Sequence, residues 1–176
     1  RRDHGRRGPR TGREDLRPAP GRQGHGEQAD RDQADPGEAD HVAVMDFCVT
    51  DSSFRGNSIQ FFTYLFTESL MYPNRYHLHT TVSPKNIFSL TNVLKCGFSA
   101  IKFKQKYGGH HRFVLYKNLR KPGAVKTRGH KEILLRNYDY HPKVFADGFV
   151  GYKIKHKSNG MAMLYGKPLE GAPSKA

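Results

Sequence analysis

Two short loops carry the residues of this chain that are best suited to chemistry. The first covers residues 54–60 and reads Phe-Arg-Gly-Asn-Ser-Ile-Gln, and the second covers residues 82–86 and reads Val-Ser-Pro-Lys-Asn. Each loop opens an apolar stretch with helical spacing, and the free backbone amides at the start of a helix attract anions. The pair therefore predicts one ligand, with phosphate groups at the first loop and a polar tail at the second.

The segments around these loops predict the elements that must position them. The apolar run 42–49 is typical of a buried strand, Ile59–Met71 has the apolar spacing of a helix, and 76–82 alternates like a second strand. A strand, a helix and a strand joined by a crossover of this length predict a parallel, right-handed pair.

The rest of the chain predicts a second helix and two hairpins. The helix covers 86–95 and ends before Gly97, a residue suited to a left-handed cap. The fold class that this order predicts is α/β, with a mixed sheet of the α+β kind. The other segments are a hairpin of 98–104 with 111–117, a loop at 122–128, a weak helix at 131–147, and a hairpin of 149–155 with 161–165 around 158–160.

The residues after the second predicted strand have the most specific spacing. Asn86 is followed at +3 by the small residue Ser89, and at +11 and +12 by Gly97 and Phe98. Together with the first loop, this order resembles the C-terminal, acetyl-CoA-binding half of a GNAT-superfamily N-acetyltransferase. The resemblance covers residues 41–119.

The resemblance implies a partial GNAT-like fold, with acetyl-CoA as co-substrate and a primary amine, on a small molecule or a protein, as acceptor. The first loop would give backbone amides to the pyrophosphate. Asn86 would contact the pantetheine arm, cap the second helix, or do both. Ser89 is either a cofactor neighbour or a small residue for helix packing. The cofactor-binding residues that the resemblance implies are Val49, Arg55, Gly56, Asn57, Ser58, Asn86 and Ser89.

Several positions depart from the family pattern. Ser58 stands at the first expected glycine and Gln60 at the last expected small residue. Val93 stands where many members carry the tyrosine that protonates the departing thiolate. Asp46 is a candidate base, but a neutral amine held beside the thioester can attack without any named residue. Catalytic residues are therefore not assigned, and turnover is less firmly expected than cofactor binding.

Residues 1–40 differ in composition from the rest of the chain. They hold nine arginines and nine acidic residues, with Leu16 as the one large aliphatic residue and no aromatic residue, which predicts disorder. A frame-shifted or fused segment and a basic-acidic linker both remain open. We expect the N-terminal half of a GNAT-like fold to be missing, so that the 42–49 strand becomes an edge prone to self-pairing.

The excess positive charge lies in residues 41–176. This part holds twenty-one lysines and arginines against seven acids, and the net charge of the whole chain is +14. Anionic partners are favoured by such a surface. The alternative function is therefore a non-catalytic basic module that contacts nucleic acid or another polyanion. The candidate residues, which could equally be solvent faces of alternating strands, are Lys102, Lys104, Lys106, Lys153, Lys155 and Lys157.

The remaining expectations concern cysteines, membranes and the end of the chain. Cys48 and Cys96 have no disulfide or metal-ligand spacing, which indicates reduced thiols, and no metal site is predicted. No run has the length of a membrane-spanning helix, and the N-terminus lacks the apolar core of a signal peptide. We expect a cytoplasmic protein with no membrane partner. Residues 120–176 form a C-terminal extension whose role in substrate choice, dimerisation or core coverage stays open.

Overall fold

The computed structural model describes residues 38–46, 49–121 and 125–169. In these residues seven strands form one mixed sheet with three α-helices, which confirms the predicted α/β class. The helices are α1 (Ile59–Met71), α2 (Ile87–Lys95) and α3 (Tyr140–Ala146). The strands are β1 (Val42–Val44), β2 (His77–Val82), β3 (Ser99–Lys106), β4 (His110–Asn118), β5 (Thr127–Leu134), β6 (Val150–Lys157) and β7 (Gly160–Pro168). Their order across the sheet is β1-β2-β4-β3-β6-β7-β5.

Strand β1 lies at one edge of the sheet and pairs in parallel with β2, as predicted. It is much shorter than the predicted strand 42–49. The last backbone bond to β2 runs from Met45 N to His79 O at 2.7 Å. The Thr80 hydroxyl then donates to the Met45 carbonyl at 2.7 Å, so a side chain replaces the next bond of the ladder and the chain leaves the sheet. Residues 47–48 lie outside the described part of the chain.

The middle of the chain follows the prediction closely. Helix α1 has the predicted bounds, and α2 begins directly after Asn86, which is its N-cap. Gly97 has φ of +89°, as predicted for a left-handed cap. The β3–β4 hairpin turns at residues 107–109, which all have positive φ.

The prediction of a weak helix at 131–147 is wrong in its first half. Residues up to Leu134 belong to β5, which pairs with β7, and only Tyr140–Ala146 is helical. Ile133 pairs with the fully buried Met163 on one face, while Glu132 bonds to lysines of β6 on the other. Side chains that alternate between a buried and an exposed face are typical of a strand. The pairing of this segment with β7 therefore outweighs its weak local preference for a helix.

The C-terminal strands extend the same sheet. Ala100 of β3 pairs with Gly151 of β6, and no gap in the sheet separates the predicted 41–119 region from the extension. A Cβ on Gly151 would lie 2.8 Å from the Met163 sulfur, so a side chain here would force the buried Met163 to shift. The predicted hairpin formed by β6 and β7 is confirmed.

The helices pack on one face of the sheet. Tyr64 of α1 places its hydroxyl 3.4 Å from the Thr80 hydroxyl of β2, and the His141 ring of α3 lies 5.0 Å from the Phe113 ring of β4. The core between these layers includes the fully buried Leu78, Leu90, Val93, Leu115, Met163 and Tyr165. None of the helices in the described ranges has the length and apolar content that a membrane span requires.

Most of the segment predicted to be disordered, residues 1–37, lies outside the described part of the chain. Its last residues, 38–40, precede and enter a short 3₁₀ turn ahead of β1. There the Glu38 carboxylate accepts hydrogen bonds from Tyr76 and His77. Both bonds help to hold the pKa of Glu38 below its usual value.

Candidate functional site

A cavity of about 620 Å³ lies between the start of α1 and the start of α2, beyond the C-terminal ends of β1 and β2. Both loops singled out in the sequence contribute to it. It contains six of the seven predicted cofactor-binding residues, and Asn57 is the exception. Its lining is Val49, Thr50, Phe54, Arg55, Gly56, Ser58, Ile59, Gln60, Asn86, Phe88, Ser89 and Asn92.

The first loop is held in place by hydrogen bonds within itself. The Asp51 carboxylate accepts bonds from the Ser53 amide at 2.8 Å and the Ser53 hydroxyl at 2.5 Å, and these bonds lower the pKa of Asp51. Arg55 Nε donates to the Thr50 carbonyl at 3.4 Å. Asn57 Nδ2 donates to the Phe54 carbonyl at 3.2 Å, so its side chain supports the loop.

The start of α1 is open toward the cavity. Its N-cap Ser58 has the left-handed values φ +57° and ψ +20°, and the Ser58 side chain makes no capping hydrogen bond. The first bond of the helix runs from Phe62 N to Ser58 O. The amides of the preceding turn consequently have no partner within the helix and can bind an anion. Gly56, with φ of +89°, allows the loop to turn into this position.

The start of α2 is closed by its own side chain. Asn86 Oδ1 accepts a hydrogen bond from the Ser89 amide at 3.1 Å, which is a standard N-cap contact. Asn86 therefore caps α2, which is one of the two roles that the sequence led us to expect for it. Its Nδ2 group is a hydrogen-bond donor, and a ligand carbonyl is a suitable acceptor for it.

Gln60 joins the two helix starts, a role that sequence reasoning missed. Its Nε2 donates to the Ser89 hydroxyl at 2.9 Å, and its Oε1 accepts from Asn92 Nδ2 at 3.1 Å. The side chain fills space that a small residue would leave open. One signal was available, because Ser89 and Asn92 are three residues apart and share a helix face. Phe88, 87% exposed beside the cavity, was missed as well.

The cavity can bind a charged ligand, but its lining offers few groups that could donate or accept a proton. Arg55 is the one lining residue, within the described part of the chain, with an ionisable side chain. Val93 is fully buried in the core. Asp46 is exposed just after β1 and does not line the cavity, and Tyr64 is buried against Thr80. No catalytic acid or base is therefore assigned.

Cys96 is free and buried at the end of α2. Burial raises the pKa of the Cys96 thiol to about 11, which leaves it protonated and unreactive at neutral pH. Cys48 lies outside the described residues. Within the described ranges, no three His, Cys, Asp or Glu side chains are grouped as metal ligands.

Comparisons with protein-family models, with curated proteins and with solved structures found no match to this chain. The resemblance to N-acetyltransferases therefore depends on the motifs themselves. The function has to be argued from the geometry of the cavity and from the charge of the surface.

Proposed function

We propose that the cavity binds acetyl-CoA and that the chain is an N-acetyltransferase that acetylates a primary amine. The observation that carries this proposal is the meeting of the two motif loops around one cavity. One loop offers an uncapped helix start and Arg55, and the other offers Asn86 and Ser89. These are the groups that a ligand with a pyrophosphate and an amide-containing arm requires.

The proposed ligand has a definite direction in the cavity. Its phosphates lie at the amides of residues 59–61 and at the Arg55 guanidinium, where the helix dipole favours negative charge. The arm then runs past Ser89 and Asn86 toward the end of β1, beside Val49. At the end of this path the acetyl group would pass from CoA to the amine of a small-molecule or protein acceptor.

Acetyl transfer in this cavity must depend on proximity. The amine nitrogen would attack the thioester carbonyl and keep the acetyl group, the carbon–sulfur bond would break to release CoA as a thiolate, and solvent would take the proton that the nitrogen loses. Holding a neutral amine beside the thioester supplies much of the acceleration. Because the described lining offers no acid for the thiolate, we expect slow turnover. We place the reaction in the cytoplasm, in keeping with the free thiol of Cys96.

Substitution of Asn86 separates ligand binding from helix capping. Asn86→Asp keeps a capping carboxylate oxygen for the Ser89 amide but removes the Nδ2 donor. We expect its melting temperature to stay close to that of the wild type, while its affinity for CoA, measured by calorimetry, falls about tenfold. Asn86→Ala should lose both affinity and about 1 kcal/mol of stability. Equal CoA affinity in the wild type and Asn86→Asp would contradict the assigned contact.

Substitution of Arg55 tests the phosphate end. We expect Arg55→Ala to weaken CoA binding about tenfold at low salt and less at high salt, because the interaction is between exposed charges. Arg136→Ala, at an exposed arginine after β5, is the matched control and should bind CoA normally. If neither CoA nor acetyl-CoA stabilises the wild type against heat, the proposal fails.

A second candidate function, binding of nucleic acid or another polyanion, is favoured by the face of the sheet opposite the helices. The register places the predicted lysines of β3 and β6 together on this face. Arg112 of β4 pairs with Lys104 and joins them. Glu132 lies among them, and the ammonium groups of Lys155 and Lys157 lower its pKa to about 2. The excess of cations suits a polyanion.

The same calorimetric and thermal measurements distinguish the two candidates. A single-stranded oligonucleotide that binds in 50 mM salt and is released in 300 mM salt would favour the second. Lys153→Glu should then abolish its binding, whereas Lys143→Glu on α3 should have little effect. CoA binding that is unaffected by Lys153→Glu would support the first candidate.

A further inference from the structure

Helix α1 presents an apolar ridge to solvent. Phe62, Phe66 and Leu70 are 63%, 65% and 69% exposed, and Leu65 beside them is also exposed. The opposite side of the helix, with Tyr64 and Glu68, is buried. Tyr64, Phe61 and Met71 pack against the core, so α1 is apolar on its exposed side as well as on its buried side, whereas a surface helix normally has a polar exposed side.

The ridge is large for a surface that stays in water. A phenylalanine has about 200 Å² of surface, so Phe62 and Phe66 each expose roughly 120 Å². With Leu65 and Leu70 the patch reaches about 400 Å², within the range that marks interaction sites on monomers. Tyr72, which is exposed directly after α1, extends it further. The total of roughly 500 Å² per partner reaches the lower limit of about 1,000 Å² for the two sides of a specific interface.

We infer that a second copy of this chain docks on this face, with α1 packed against α1 around a two-fold axis beside Phe66. The residues Phe62, Phe66 and Leu70 are four apart and form one i±4 ridge that is symmetric about Phe66. Two such ridges interdigitate when helices cross at about −50°. A surface that is complementary to itself in this way is what a closed dimer requires.

The charge of the exposed face favours another copy over a lipid surface. The chain has a net charge of +14, yet the exposed residues of α1 include no charged side chain. The polar residues on this exposed face are Thr63 and Ser69, which flank the ridge. A helix that lies in a membrane surface usually carries lysine or arginine beside its apolar face. The face of α1 thus matches an uncharged protein partner.

This interface differs from the self-pairing expected at the edge strand. β1 has three residues, and Val42 is already buried, so the edge offers few free backbone groups. The α1 interface also leaves the cavity accessible, because the cavity lies at the start of the helix, about 10 Å along the axis from Phe66. The inference does not depend on the proposed function.

The mass of the full chain in solution tests the inference. We expect the wild type to sediment as a dimer at micromolar concentration, in 0.15 M and in 0.5 M NaCl, because apolar association is not weakened by salt. Phe66→Glu would place two carboxylates at the two-fold axis and weaken association at least about a hundredfold. Tyr140→Glu changes an exposed aromatic residue on α3 and should stay dimeric.

A disulfide placed near the axis gives an independent readout. Ser69 is exposed beside the ridge, so Ser69→Cys should form a covalent dimer on mild oxidation, whereas Ser158→Cys in the β6–β7 turn should not. The wild type, with its own cysteines, sets the baseline. A monomeric wild type at 100 µM would overturn the inference. So would a folded Phe66→Glu variant that remains dimeric, or a wild type that is monomeric and binds neutral lipid vesicles through α1.

Discussion

The ion pair between Lys117 and Glu68 provides the most quantitative test of how the site is held. Lys117 of β4 places its Nζ 2.6 Å from the Glu68 carboxylate of α1 and 2.6 Å from the Cys96 carbonyl at the end of α2. Both side chains are about 90% buried, at 11% and 10% exposure. One ammonium therefore joins the sheet to both helices whose starts form the cavity.

The expected cost follows from this burial. Removing one partner of a buried pair leaves an uncompensated charge, which typically lowers the free energy of unfolding by about 3–5 kcal/mol. Glu68 Oε1 is buried and has no hydrogen-bond partner among the described residues, so it cannot compensate for loss of Lys117. For a chain of this size the loss corresponds to a melting temperature lower by roughly 6–20 °C.

Urea unfolding of four proteins measures the pair directly. Lys117→Met and Glu68→Leu should each lose the full amount, whereas the double variant should lie within about 1–2 kcal/mol of the wild type. The remaining loss reflects the Cys96 carbonyl, which the methionine cannot bond. Additive losses in the double variant, at unchanged m-value, would refute the reasoning.

Two further predictions concern a buried histidine and the loop glycine. Burial lowers the pKa of His141 to about 4, so as the pH falls below 6.5 the unfolded chain binds a proton at this histidine before the folded chain does. The free energy of unfolding should therefore drop by up to about 1.4 kcal/mol per pH unit between pH 6.5 and pH 4. His141→Gln should remove this pH dependence in acid unfolding curves. Gly56→Ala and Gly148→Ala both place a Cβ at positive φ with no atom within 4 Å, so each should cost about 1–2 kcal/mol by thermal unfolding, but Gly56→Ala alone should also weaken CoA binding.

The cavity could be found from the sequence because its parts are local. A helix start after a strand is encoded in a few adjacent residues, and Asn86 and Gly97 mark both ends of α2 by their own conformational preferences. Two parallel strands bring their C-terminal ends to the same edge. The two loops were therefore expected to meet, and the structure places them around one cavity.

The parts that the sequence did not predict depend on distant partners. The segment 131–134 has weak local preference, and its strand exists because β7 offers a pairing edge. The bridge made by Gln60 depends on how α1 and α2 approach each other, which no local pattern states. The apolar spacing of α1 was recognised, but Phe62 and Phe66 were not distinguishable from core residues until the helix was placed on the sheet.

The two helices that border the cavity are capped differently, and this difference favours one kind of ligand. At α1 the Ser58 side chain gives no cap, so the first-turn amides can bind an anion. At α2 the Asn86 oxygen is already used by the Ser89 amide, so its remaining amide group can only donate. A ligand proposed to span both would therefore present negative charge at one end and a hydrogen-bond acceptor, such as an amide carbonyl, at the other. A phosphorylated chain that carries an amide carbonyl offers an acceptor to both helix starts.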